Sequence, residues 1–174
     1  KVQTKYIKMK NLILSITALF ITLSVSSQTI VDAAASNKDF STLVTALKAA
    51  DLVGALSGEG PFTVFAPNND AFGKIDSETL GSLLKPENVE ALSNILTYHV
   101  VSGKLMASDV TKALKDGYGR VKLTALNGQT FVARSKGGKI FLKDQNGDMS
   151  EVIATDVVGT NGVIHVIDSV IMPE

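Results

Sequence analysis

The two histidines, His99 and His165, carry the side chains best suited to metal binding or proton transfer. Together with Asp70, Asp156 or Asp168 they would supply the ligand types of a zinc site. However, these residues are widely separated along the chain and lack the short spacing that metal-binding motifs show. We therefore predict that both histidines are structural, and we predict no catalytic residue, no metal site and no cofactor.

Segment 144–150 resembles the start of a calcium-binding loop. Oxygen-bearing side chains occupy loop positions 1, 3, 5 and 7, namely Asp144, Asn146, Asp148 and Ser150. The pattern then fails, because loop position 6 is Met149 instead of Gly and position 12 is Thr155 instead of Glu. The segment therefore predicts a hairpin turn centred on Asn146-Gly147.

Other catalytic patterns are missing from the sequence. The chain contains no Cys, and none of its serines lies in a Gly-x-Ser-x-Gly motif. The stretch Gly58-Glu59-Gly60 lacks the Lys of a phosphate-binding loop. Paired carboxylates for glycoside hydrolysis stay open, although no spacing points to them. We predict that the protein is not an enzyme.

The clearest charge pattern lies in residues 117–143, which contain six basic residues and no acidic one: Arg120, Lys122, Arg134, Lys136, Lys139 and Lys143. Their spacing predicts a basic sheet face or edge, for which two interpretations stand. Lysines on exposed strands can prevent edge-to-edge aggregation. Alternatively, these cations contact an anionic partner such as an acidic polysaccharide, a lipopolysaccharide phosphate or an acidic protein.

Residues 1–27 predict a secretory signal peptide. Four lysines without any acidic residue precede an apolar run from Leu12 to Val25, and small residues follow before Gln28. A retained transmembrane anchor is the alternative, but the run of about 14 residues is shorter than the roughly 20 that a span requires. We expect a secreted, periplasmic or cell-surface protein. The sequence leaves open whether translation starts at Met9 and whether the protein stays attached to the cell.

Residues 28–174 have the length of one domain. Once the four N-terminal lysines are subtracted, 13 basic residues stand against 17 acidic ones, a net charge of −4. This balance gives no overall attraction to nucleic acid, so we expect no such partner. We expect membrane contact only through the signal peptide before its cleavage.

Helical patterns dominate the first half of this region, and strand patterns dominate the second. Predicted helices include one with Phe40, Leu43, Val44 and Leu47 inward and Asp39 as cap, one capped by Asp51, one capped by Asp76, and one beginning at Pro86. Predicted strands are Phe62–Phe65, Arg120–Leu126, Thr130–Ala133, Lys139–Lys143, Val152–Val158 and Val163–Ile171. This order indicates an α+β fold.

Three segments resemble the fasciclin domain family. They read GPFTVFAPNNDAF at residues 60–72, YHVV at residues 98–101 and NGVIHVIDSVIMP at residues 161–173. The segments occur in the family's order and at its spacing, and the resemblance extends from Thr29 to Pro173. It implies the FAS1 fold, a wedge-shaped β-sandwich of about seven strands with a helical layer formed mainly by the first half.

The resemblance also implies a secreted single FAS1 domain that acts in adhesion or matrix binding, and the absence of Cys in an exported domain favours a bacterial source. The resemblance predicts an extracellular protein as the partner, and the basic segment 117–143 adds an anionic polysaccharide as a candidate. Tyr98, His99, Asp70, His165 and Asp168 would be structural motif residues, with Asp70 as the partner of His99. The chain has no Arg-Gly-Asp, so integrin binding is not expected. The alternative function is an exported small-ligand-binding protein or enzyme with a site near His99 and His165.

Overall fold

The structure, a computed structural model, describes residues 28–174, and the predicted signal peptide at residues 1–27 lies outside this range. The helices of the described region are α1 Ile30–Ser36, α2 Ser41–Ala49, α3 Val53–Ser57, α4 Asn69–Gly73, α5 Ser77–Leu83, α6 Val89–Tyr98 and α7 Ala107–Asp116. Short 3₁₀ turns span Lys38–Phe40 and Pro86–Asn88.

Helix caps agree with the sequence in one case and differ in two. The Asp76 side chain accepts a hydrogen bond from the Thr79 N–H and caps α5, as predicted. The predicted caps at Asp39 and Asp51 are wrong. The Asn37 side chain caps the 3₁₀ turn that precedes α2, and Asp51 has a φ of 54° in the turn before α3. Asn and Asp both occur at helix N-caps and in left-handed turn positions. The sequence therefore located the helix starts approximately but did not identify the capping residue.

The strands are β1 Phe62–Pro67, β2 Val100–Ser102, β3 Arg120–Thr124, β4 Thr130–Lys136, β5 Lys139–Lys143, β6 Met149–Gly159 and β7 Gly162–Ile167. They form a sheet of order β2-β1-β7-β6-β5-β4-β3. β6 pairs with β5 at its start and with β7 further on, so it carries the chain from one half of the sheet to the other. The Leu126 N–H donates to the Val100 O at 2.8 Å and nearly closes the sheet.

Two apolar clusters hold these layers together. One lies between the helices and one face of β1 and β7, where Phe40, Leu47 and Ile164 are buried. The other fills the inside of the curved sheet. There, the ring centroid of Phe131 lies 5.5 Å from those of Phe65 and Tyr98, both in edge-to-face geometry. The predicted α+β class and seven-stranded sandwich are confirmed.

Candidate functional site

All six basic residues predicted as a group have side chains on the outer face of β3, β4 and β5. Directly opposite residues on paired strands project to the same side of a sheet, and successive residues alternate. The register places Arg120 opposite Arg134, and Lys136 opposite Lys139. Val132 lies opposite both Lys122 and Lys143. The inner face of the same strands carries the buried residues Phe131, Ala133 and Leu142. We call this outer surface the basic face.

The basic face contains two pairs of like charges directly opposite each other, Arg120 with Arg134 and Lys136 with Lys139. Such pairs destabilise a sheet. Protection of an exposed edge does not explain Arg134, because its strand is hydrogen-bonded on both sides and it lies between Arg120 and Phe141. Positive charge is therefore concentrated on the surface of the sheet away from its edge, and a bound anion there would reduce the repulsion between the cations.

One acidic residue from outside residues 117–143 reaches the basic face. Glu151 on β6 lies opposite Phe141, and its carboxylate contacts the Lys139 Nζ at 2.7 Å. Lys139 is therefore partly neutralised. The register between β5 and β6 produces this pairing, which the local composition of the sequence could not indicate. Within residues 28–174 the other five cations of the face have no carboxylate within ion-pair distance.

The turn before β3 adds an aromatic side chain beside these cations. Tyr118 is 97% exposed. It lines an open groove of about 490 Å³ together with Gly119, Arg120, Arg134, Ser135, Lys136 and Met149. Sequence reasoning did not single out Tyr118, although its position between Gly117 and Gly119, just before the basic segment, was a usable signal.

His99 is buried at the end of α6 and does not pair with Asp70. Its Nδ1 lies 2.8 Å from the Ile95 O, and its Nε2 accepts a hydrogen bond from the Ile171 N–H at 3.2 Å. A carbonyl only accepts and an amide only donates, so the ring is neutral with its proton on Nδ1. Burial lowers the pKa of His99 to about 4.

The predicted partnership between His99 and Asp70 is therefore wrong, since Asp70 is exposed in the first turn of α4. The physical reason is that backbone groups satisfy a neutral ring without the cost of burying a carboxylate. His99 joins α6 to the C-terminal segment at Ile171.

His165 is also buried and also bonded to backbone. Its Nε2 lies 2.7 Å from the Leu105 O, and its Nδ1 accepts from the Asp156 N–H at 3.3 Å. The cavity beside it has a volume of about 10 Å³, which is no larger than a single water requires. The cavity beside His165 is therefore too small to support the alternative of a small-ligand site there. The two rings have different hydrogen-bond partners, because His99 binds the backbone of Ile95 and Ile171 and His165 binds that of Leu105 and Asp156.

The other two motif residues have structural partners. The Tyr98 hydroxyl donates to the Thr130 O at 3.0 Å, which joins α6 to β4. Asp168 accepts from the Glu151 N–H at 2.8 Å and contacts the Lys74 Nζ at 3.1 Å. Burial raises the pKa of Asp168, but these hydrogen bonds and the Lys74 charge outweigh it and hold the pKa below its usual value.

The predicted hairpin turn is confirmed, with residues 144–148 connecting β5 to β6 and Met149 and Ser150 beginning β6. The Asp144 carboxylate accepts from the Asp148 N–H at 2.9 Å and from the Met172 N–H at 3.1 Å. These oxygens are thus occupied by backbone donors. Among residues 28–174, no group of three or more His, Cys, Asp or Glu side chains is arranged to hold a metal ion.

None of the helices within residues 28–174 combines the length and the apolar character that crossing a membrane requires.

Comparisons with known proteins identify relatives over most of the chain. A family model for the fasciclin domain matches residues 38–173. Protein sll1483 of Synechocystis sp. is 50% identical over 148 residues, which cover 85% of this chain and 75% of that protein. Human periostin is 36% identical over 141 residues, 79% of this chain but 15% of periostin.

A similar fold is found in a solved FAS1 domain pair from the insect cell adhesion molecule Fasciclin I. The TM-score is 0.71 at 21% sequence identity, and the match covers 82% of this chain and 50% of that chain. The described residues thus correspond to half of the insect structure.

Proposed function

Because this chain belongs to the fasciclin domain family, we propose that it is an extracellular adhesion module whose basic face binds an acidic polysaccharide. The family includes adhesion and extracellular matrix proteins, and a related fold occurs in an insect cell adhesion molecule. The observation that carries the proposal is the pair of like charges Arg120 and Arg134, of which Arg134 lies on a strand that is paired on both sides and needs no edge protection.

The proposal includes export and a role without catalysis. Residues 1–27 act as the signal peptide, and residues 28–174 form one FAS1 domain that works outside the cytoplasm. The domain binds its partner without a catalytic residue or cofactor. The buried, backbone-bonded rings of His99 and His165 support this, because neither can reach a substrate.

An acidic polysaccharide fits the basic face better than an acidic protein does. Neighbouring strands lie about 4.8 Å apart, so the cations form closely spaced rows that a chain of repeated anionic groups can contact several at a time. Several weak contacts on one chain reinforce each other. Protein–protein interfaces, by contrast, are depleted of Lys at their centre, and four of the six cations here are lysines.

The test is a paired charge reversal, Arg134→Glu with Lys136→Glu. Each change converts a like-charged pair into an opposite-charged pair, with Arg120 and with Lys139. The fold should therefore be retained while the face loses four units of positive charge. On immobilised alginate or polygalacturonate, the variant should elute at clearly lower salt than the unchanged protein.

Reversal of Lys139 would be a poorer test. Lys139→Glu would place a second carboxylate beside Glu151 and destabilise the strand pairing.

The matched control is Lys48→Glu with Lys85→Glu, which makes the same charge change at exposed positions of the helical layer. The control should elute close to the unchanged protein. Equal loss in both variants would show a net-charge effect and overturn the proposal. The proposal would also be overturned if the unchanged protein were retained no longer on the acidic polysaccharide than on uncharged dextran, even if it bound an acidic protein.

A further inference from the structure

Tyr118 is held in a conformation that its residue type disfavours. Its φ is 53°, in the left-handed region that Gly and Asn adopt more easily. The turn is fixed on both sides, because the Gly119 N–H donates to the Leu114 O at 2.7 Å and the Ser135 N–H donates to the Gly119 O at 2.9 Å. The ring packs against almost nothing, since the residue is 97% exposed. The fold therefore gains nothing visible from a tyrosine here.

The position of Tyr118 relative to the cations suggests what the ring contributes. Tyr118 lines the 490 Å³ groove together with Arg120 and Arg134. These two arginines lie opposite each other on neighbouring strands, so their guanidinium groups can converge on one anionic group. A flat apolar surface thus stands beside a site for a carboxylate or sulfate.

We infer that Tyr118 stacks on the sugar ring of a uronic acid residue whose carboxylate is bound by Arg120 and Arg134. This inference rests on the proposed function and specifies its ligand class. An aromatic ring has an electron-rich face that attracts the C–H groups on the apolar side of a pyranose. In a hexuronic acid the carboxylate is attached directly to that ring, so one residue presents both groups together. A polyanion without sugar rings would use the arginines but not Tyr118.

The substitution Tyr118→Gly distinguishes an effect on ligand binding from an effect on folding. Tyr118→Gly suits the left-handed backbone better than tyrosine does, so its melting temperature should equal or exceed that of the unchanged protein. Tyr118→Phe keeps the aromatic face and is the matched control.

Two probes distinguish stacking from charge, an oligogalacturonate and polyacrylate, with affinities measured by titration calorimetry at one salt concentration. Tyr118→Gly should weaken oligogalacturonate binding about five- to tenfold and leave polyacrylate binding unchanged. Tyr118→Phe should bind both probes like the unchanged protein. The Arg134→Glu, Lys136→Glu double variant should bind both probes more weakly.

The outcomes separate the two proposals. If Tyr118→Gly binds oligogalacturonate normally while the double charge variant loses both probes, stacking is overturned and the basic face stands. If Tyr118→Gly loses both probes equally, the substitution has disturbed the face and stacking is again overturned. If neither variant changes the binding of either probe, both proposals fail.

Discussion

The buried histidine region and the basic face differ in how their polar groups are paired. Around His99 and His165, each ring nitrogen has a backbone partner, and no buried side-chain nitrogen or oxygen of residues 28–174 lacks a hydrogen bond. On the basic face, like charges stand opposite each other, and five of six lack a carboxylate partner within the described region. The first arrangement stabilises the folded state, whereas the repulsion in the second lowers the free energy of unfolding.

This difference indicates where specificity resides. Three of the residues assigned to family motifs by the resemblance, Tyr98, His99 and Asp168, connect α6, β4, β6 and the C-terminal segment to one another. They are interior or structural and leave little surface for a partner. The basic face belongs to a segment without a family motif, and its side chains are free to vary without loss of the core.

The largest effect should follow from removal of the His99 ring. His99→Ala would leave the Ile171 N–H without its acceptor and open a cavity between α6 and the C-terminal segment. We expect the free energy of unfolding to fall by about 4 kcal/mol. Urea denaturation at pH 7.5 would measure this loss. A loss below about 1 kcal/mol would contradict the structural role.

The pH dependence of stability should reveal the same ring. The folded-state pKa of His99 is about 4, below the unfolded value of 6.5, so the unfolded chain binds the extra proton first as pH falls. The neutral ring's contribution is therefore complete above pH 6.5 and declines towards pH 4, by about 3 kcal/mol in total.

Denaturation at several pH values between 7.5 and 4 checks this slope, and His99→Gln serves as the control. The Gln amide can donate to Ile95 and accept from Ile171 but does not titrate, so the slope should flatten. The contribution from Asp168 belongs to a lower window, because its pKa lies below 3.8 in the folded protein. An equal slope in both proteins would assign the pH dependence to other groups.

A third test concerns Asn161, which fastens the helical layer to the sheet. Its side-chain oxygen accepts from the Ile30 N–H at 2.9 Å, and its amide donates to the Leu56 O and Gly58 O at 2.8 and 2.9 Å. Asn161→Ala should lower the free energy of unfolding by about 2 kcal/mol. Asn161→Asp is the sharper comparison, because it keeps the acceptor for Ile30 but cannot donate. A variant as stable as the original would show that water replaces these bonds.

Most of the fold was predictable because the relevant signals are local. Asn127-Gly128 and Gly137-Gly138, dipeptides typical of turns, lie in the loops between β3 and β4 and between β4 and β5, and the alternation of apolar residues identifies inner side chains of these strands. The helix α7 was not predicted, although Val110 and Leu114 have helical spacing. Ile153 and Val158 of the predicted strand Val152–Val158 are exposed, and β6 has register shifts between Val152 and Val157 that its sequence does not indicate.

The candidate site was predictable in composition but not in geometry. Counting charges identified the six cations, but which of them face each other depends on register. For the same reason, the contribution of Glu151 could not be foreseen. The partner of His99 was mispredicted because its bonds run to backbone atoms, which every residue carries and no sequence motif identifies.

The smallest expected change in stability, that of Arg134→Glu, is opposite in sign to the losses expected in the buried histidine region. Arg134→Glu replaces a repulsive cross-strand pair with an attractive one opposite Arg120. We expect the free energy of unfolding to rise by about 0.2–1 kcal/mol, and to rise less at high salt because the pair is exposed. Retention on acidic polysaccharide should fall in the same variant. Urea denaturation at 0.02 and 0.5 M salt, with Lys48→Glu as the control, would measure the gain. If Arg134→Glu instead lowered stability, the arginine would be a structural residue of the sheet, and the contrast between a stabilising interior and a ligand-binding surface would no longer hold.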